Sequence, residues 1–181
     1  MLSDKRVLLD MDGVLVDFFG AALALHGRED LAEDWPAREW DMAPVLGLSG
    51  REFWAPINDL GVEFWANLSW YPWADELVAL CEEAGGFVIA STPSRRGSSA
   101  LGKVRSLQTR FGRGFRDYML GPHKALMAGS GLVLIDDSDE QVEAFRAAGG
   151  EAILFPQRWN RAHASIGERL PLLREQLLGG E

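Results

Sequence analysis

The chain is poor in cysteine, histidine and positive charge, with one Cys and three His in 181 residues and 18 Lys and Arg against 27 Asp and Glu. A lone cysteine excludes an internal disulfide. Cys81, between Leu80 and Glu82 in a helix-like stretch, reads as a packed side chain rather than a nucleophile or metal ligand. His123 has no metal-ligand spacing to His26 or His163, which removes the basis for a zinc site. A formal charge of −9 argues against a protein that holds long nucleic acid through its phosphates. A small anionic ligand then requires a local positive group, a metal or a lysine, that overrides the global field. There is no apolar run long enough to cross a membrane, and no internal repeat or low-complexity tract. Met1 to Arg6 lead into the first apolar run without a signal segment, so a cytoplasmic location is expected.

What is present is a folded domain's composition, 47% hydrophobic and 25% charged, in a length that suits one domain carrying an insertion. Apolar runs end at Asp10 (Val7-Leu8-Leu9), at Ser91 (Phe87-Val88-Ile89-Ala90), near Leu120, at Asp136 (Leu132-Val133-Leu134-Ile135) and at Phe155 (Ala152-Ile153-Leu154). Helix-like segments lie between them at 74–84, 98–111 and 139–148, and 161–178 closes the chain as a further helix. Continuous apolar strands alternating with helices of this length predict βαβ units, and so an α/β fold with a parallel sheet covered on both faces. Ligands bind such sheets at the carboxyl ends of the strands, where Asp10, Asp12, Ser91, Asp136 and Asp137 all fall.

Residues 17–71 break the alternation. They hold no convincing buried strand, contain Pro36, Pro44 and Pro56, and concentrate aromatics: Phe18, Phe19, Trp35, Trp40, Phe53, Trp54, Phe64, Trp65 and Trp70. The segment is read as a small helical cap leaving the core just after the first strand tip, with 1–16 and 72–181 forming the core. So placed, it can cover the site and exclude water. Most of its aromatics are expected to build the cap's own small core.

The chemistry is concentrated at the strand tips. Asp10-Met11-Asp12-Gly13-Val14 follows the first run, and the alternation of a strand points Asp10 and Asp12 to one side while Gly13 permits a tight turn. Two carboxylates so placed call for a hard divalent cation with oxygen ligands. Ser91-Thr92-Pro93-Ser94 offers hydroxyls and backbone N–H groups suited to a phosphate oxygen, while Ser98 or Ser99 suits a helix cap. Asp136-Asp137 supplies an acidic pair at the end of a buried strand, one to reach a shared metal and the other to orient water or a lysine. Lys124, in Gly121-Pro122-His123-Lys124, can neutralise a phosphate or the aspartates.

Asp10-Met11-Asp12-Gly13-Val14, Ser91, Lys124 and Asp136-Asp137 resemble, in order and strand-end context, the four motifs of the haloacid dehalogenase (HAD) superfamily of phosphohydrolases. The resemblance covers the whole core and implies a Rossmann-like, HAD-type parallel sheet flanked by helices, with the cap inserted after the first strand. It implies that Asp10 attacks phosphorus to form an aspartyl-phosphate and that Asp12 serves as general acid and then base. Mg²⁺ would be held by the Asp10 carboxylate, the Asp12 backbone carbonyl and Asp137, with Asp136 supporting, while Ser91, Thr92 and Lys124 would bind the phosphate. Within the superfamily the chain looks most like the 5'(3')-deoxyribonucleotidases. Asp17-Phe18 follows the first motif, Arg51-Glu52-Phe53-Trp54 resembles that branch's aromatic pair, and Ser91-Thr92-Pro93 resembles its Thr-Ser-Pro with the hydroxyl residues exchanged. Lys103 stands where the branch has another phosphate-contacting lysine. Phe18, Phe53, Trp54 and Trp65 would then form an apolar slot for a base or sugar, and the substrate would be a nucleoside or deoxynucleoside monophosphate. The rest of the insertion, with Trp35, Trp40, Trp70 and Trp73, diverges from that branch. A phosphatase for a sugar phosphate or other metabolite, and a phosphate-binding module without turnover, remain as alternatives.

Overall fold

The computed structural model describes residues 5–179; the expected signal-free start at Met1 to Asp4 lies outside them. Five strands, β1 (Arg6–Leu9), β2 (Phe87–Ser91), β3 (Tyr118–Leu120), β4 (Leu132–Asp136) and β5 (Glu151–Leu154), form one parallel sheet in the order β3-β2-β1-β4-β5. Central β1 pairs with β2 on one side and β4 on the other, Leu9 standing level with Ile89 and Ile135. The chain thus leaves β1 where the strand order changes direction, which is where an open α/β sheet forms its crevice.

Helices cover both faces, as the continuous apolar strands require. Val7, Leu9, Ile89 and Ile135 share a core with Leu77, Leu80 and Cys81 of α5 (Ala74–Ala84), Leu107 of α6 (Gly97–Phe111), and Leu173 and Leu177 of α8 (Arg169–Leu178). Leu8, Ala90 and Leu134 point the other way, against Val142 and Phe145 of α7 (Asp139–Ala147). Helix α7 starts at Ser138, whose hydroxyl accepts from the Gln141 amide at 3.3 Å, and Asp139 and Glu140 in its first turn suit the helix dipole.

Two local expectations are corrected. The closing segment is not one helix: a short 3₁₀ stretch (His163–Glu168) precedes α8, because Pro171 has no N–H to give and its ring would clash with the carbonyl four residues back. Neither Ser98 nor Ser99 caps α6, which begins at Gly97 behind Arg96; the Ser99 hydroxyl instead accepts from the Ser94 amide at 2.9 Å and ties down the loop after β2.

Between β1 and β2 the chain forms α1 (Phe18–Leu25), α2 (Met42–Val45), α3 (Gly50–Leu60) and α4 (Val62–Ala66). Asp17 caps α1, accepting from the Gly20 amide at 2.7 Å, and Ser49 with Glu52 forms a reciprocal capping box at α3. Helix α4 lies on α6 at Gly102, where any Cβ would meet the Trp65 side chain and stand 2.7 Å from the Val62 carbonyl oxygen. Trp65 thereby rests against α6.

Candidate active site

The site lies beyond the carboxyl ends of β1, β2 and β4. Ending β1 at Leu9 carries the chain into a turn at Gly13, whose φ of +75° is favourable only for glycine and whose missing Cβ leaves room for the Asp137 carboxylate. Asp10, buried, thereby faces Asp136 and Asp137 at the end of β4. One carboxylate oxygen from each of the three comes within 4.8 Å of the others.

Lys124 anchors this cluster from the 3₁₀ turn after β3 (Lys124–Met127). Its ammonium, 3% exposed, donates to Asp10 Oδ1 at 2.6 Å and to Asp136 Oδ2 at 2.5 Å. Burial alone would depress its pKa, but Asp10 and Asp136 more than offset that and hold it above the ordinary lysine value. Asp136 also accepts from the Ser138 amide at 2.8 Å, yet burial and the neighbouring Asp10 push its carboxyl up to about 7. Asp137 is raised well above the carboxylate range by burial, Asp10 and Asp136. One buried ammonium therefore does not neutralise three clustered acids. The all-oxygen donor set, whose clustered charged forms are disfavoured without a further cation, fits a hard divalent ion.

Asp12 points elsewhere. Its Oδ2 is 2.5 Å from the Lys103 ammonium, which is fully buried, donates to Ser91 Oγ at 3.1 Å and lies 5.2 Å from the Trp65 ring centre. Asp12 Oδ1 is buried with no hydrogen-bond partner among the described residues. Burial pushes the Asp12 carboxyl up, Lys103 opposes, and Asp10 adds to the rise. A carboxyl held partly toward its protonated form, with one free oxygen, is suited to proton transfer.

A cavity of about 650 Å³ opens over these groups. Asp10, Asp12, Ser91, Thr92, Lys124, Asp136 and Asp137 form its floor, and Phe18, Phe53, Trp54 and Trp65 stand in its wall. The structure thus brings together every candidate residue named from the sequence except Lys103, which sits behind Asp12 and Ser91 and does not line the cavity. The aromatic side chains divide between packing and exposure: Phe53 and Trp65 are 4% and 3% exposed, whereas Trp54 and Trp40 keep 36% and 54% of their surface open. Phe18 stacks on Trp65 at 5.3 Å between ring centres.

Sequence reasoning missed the segment after β5. Trp159 donates its indole N–H to Asp137 Oδ2 at 2.7 Å. Asn160 donates from Nδ2 to the backbone carbonyls of Asp137 (2.9 Å) and Phe155 (2.7 Å), and the Gln157 side chain donates from Nε2 to the Gly13 carbonyl. The rule that points to strand tips also applies to β5, so Gln157-Arg158-Trp159-Asn160 carried a signal; no charged pair marked it.

No protein-family model and no curated protein sequence matches the chain. Among solved structures, it resembles a HAD-family hydrolase from Deinococcus radiodurans R1 with bound phosphate and sodium, at 19% identity and a TM-score of 0.55, over 96% of this chain and 89% of that one. It resembles a HAD-superfamily hydrolase of subfamily IA, variant 1, from Geobacter sulfurreducens PCA, at 18% identity and 0.53, over 83% and 88%. A mutant of CbbY from Rhodobacter sphaeroides in complex with xylulose-(1,5)bisphosphate matches at 20% identity and 0.51, over 87% and 88%. The architecture is therefore the HAD-type α/β fold. At these identities the likeness establishes the fold, and the site's own geometry must carry the chemistry.

Proposed function

We propose that the protein is a Mg²⁺-dependent phosphomonoesterase that works through an aspartyl-phosphate. The observation that carries this reading is the floor of the cavity: a carboxylate at the tip of the central strand, an ammonium 2.6 Å away, two further acids around it and a second carboxyl held by a different lysine. Asp10 attacks the phosphorus and displaces the leaving alcohol, splitting one difficult displacement into two easier ones. Asp12, with its raised pKa and unpartnered Oδ1, gives a proton to the leaving oxygen and then takes one from the water that hydrolyses the intermediate. Lys124, with the Ser91 and Thr92 hydroxyls, binds the phosphoryl oxygens, and Lys103 holds Asp12 in place. Asp10, Asp136 and Asp137, with the Asp12 backbone carbonyl, would hold Mg²⁺, which supplies charge neutralisation of the phosphoryl group when bound.

The finer proposal is that the substrate is a nucleoside or deoxynucleoside monophosphate. The support is the aromatic wall of Phe18, Phe53, Trp54 and Trp65, in which Trp54 keeps 36% of its surface open to a planar base. Phosphate release from a panel of nucleoside, sugar and simple aryl monophosphates, with and without Mg²⁺, tests both levels. Mg²⁺-dependent turnover fastest on the nucleotides is expected; sugar phosphates as the best substrates would overturn the finer reading, and no turnover on any ester the coarser one.

A further inference from the structure

The two halves of the cavity, acidic floor and aromatic wall, meet at one side chain that neither the motifs nor the cap accounts for. Trp159 is 8% exposed and comes from the segment after β5. Its indole N–H is 2.7 Å from Asp137 Oδ2, its ring is 4.9 Å from Phe19 and 6.5 Å from Trp40, and it lines the cavity. Phe19 in turn meets Trp35 edge-on at 4.8 Å. Asn160 fixes the same segment to the Asp137 backbone at 2.9 Å, so both ends of Asp137 are held from one loop.

We propose that Trp159 is a positioning residue that fixes Asp137 for the divalent cation while its ring forms the wall against which the substrate's leaving group packs. The proposal rests on the reading of the floor as a metal-assisted phosphatase site. With Oδ2 engaged by the indole, the Asp137 carboxylate is held in one orientation and would keep its other oxygen for the cation. Partners that orient a ligating carboxylate typically change metal affinity by about 10- to 100-fold when removed. Pre-ordering the carboxylate costs the cation less, and the same ring is the surface a bound ester touches.

Magnesium titrations of the intact protein, followed by thermal shift and calorimetry without substrate, test the metal half. Trp159→Phe keeps a ring and loses the N–H, so its Mg²⁺ midpoint should rise about tenfold or more, while Trp159→His, which retains a ring N–H donor, should recover part of that loss. At saturating Mg²⁺, Trp159→Ala should raise KM for nucleoside monophosphates and for phenyl phosphate alike, and Trp159→Phe, which keeps a ring in the wall, should raise it less. An unaltered Mg²⁺ midpoint in Trp159→Phe, or equal midpoints in the Phe and His variants, overturns the positioning role. Unchanged KM values in Trp159→Ala overturn the wall. Metal binding that depends on Trp159 in a protein hydrolysing no ester would contradict the phosphatase reading and leave the positioning role standing. If Trp159→Phe melts near room temperature without metal, Trp159→His is compared with the parent: a Mg²⁺ midpoint raised by less than about tenfold supports the positioning role, and one raised about 100-fold despite the ring N–H overturns it.

Discussion

Replacing Lys124 by methionine isolates the electrostatics of the floor, because the substitution keeps the aliphatic stem and deletes only the ammonium. Lys124 is 3% exposed, and its ammonium touches Asp10 and Asp136 at 2.6 and 2.5 Å. Removing one partner of a buried pair typically costs about 3–5 kcal/mol, since the remaining charge is left without compensation. At roughly 2–4 °C per kcal/mol for a chain of this size, the metal-free variant should melt about 6–20 °C below the parent at pH 8. The pH dependence carries a sign. Asp136 has a folded-state pKa of about 7, above its unfolded value, so its contribution to stability is full below the ordinary carboxylate range and is lost as pH rises through 7. Once Asp136 is protonated it no longer needs the lysine, so the penalty should shrink between pH 8 and pH 5. Thermal melts of both proteins in a chelator across that range decide it. A variant melting within about 2 °C of the parent at pH 8, or a penalty that grows toward pH 5, would refute the assignment of Lys124 as the cluster's counter-charge.

Further outcomes follow from the same geometry. Gly13→Ala should destabilise by more than about 1 kcal/mol and abolish the Mg²⁺-induced rise in Tm, because a Cβ there would overlap the Asp137 carboxylate in a left-handed turn; a normal Mg²⁺ response would show that the turn does not position Asp137. Gly102→Ala, which in an open helix would gain about 1 kcal/mol, should instead cost about 1–3 kcal/mol in urea unfolding because it overpacks α4 against α6. Burial and clustering raise Asp136 and Asp137, so protons compete with the cation there, and the Mg²⁺ midpoint should fall as pH rises from 6 to 8. A midpoint constant across that range would mean that the cation is held elsewhere.

Much of the fold was legible because β1, β2 and β4 are buried along most of their length and so read as unbroken apolar runs. The run ending at Ser91 became β2, that ending at Asp136 became β4, and 74–84 became α5 over the expected span. The closing helix failed because its apolar spacing said nothing of the break that Pro171 imposes. For the site, strand-tip logic placed Asp10, Ser91 and Asp136-Asp137 correctly, since a parallel sheet puts all its carboxyl ends on one edge. What it could not supply was pairing across the sequence. That Asp12 would lean on Lys103, 91 positions away, depends on how α6 brings Lys103 to the end of β2. That Trp159 would reach Asp137 depends on the course of the chain after β5, which no local pattern encodes. Residues 17–71 were legible as helical and aromatic, but not which rings would pack and which would face the cavity, because both roles use the same residue types.

The proposed mechanism requires Asp10 to bond covalently to phosphorus, and the stereochemical course at phosphorus reads this without requiring the intermediate to accumulate. Each in-line displacement inverts the phosphoryl group, so two in succession restore it. Hydrolysis of an isotopically chiral phosphate monoester that the panel identifies as a substrate should release phosphate with retention of configuration. Inversion would mean that water attacks the ester directly, and Asp10 would then be a ligand or base rather than the nucleophile.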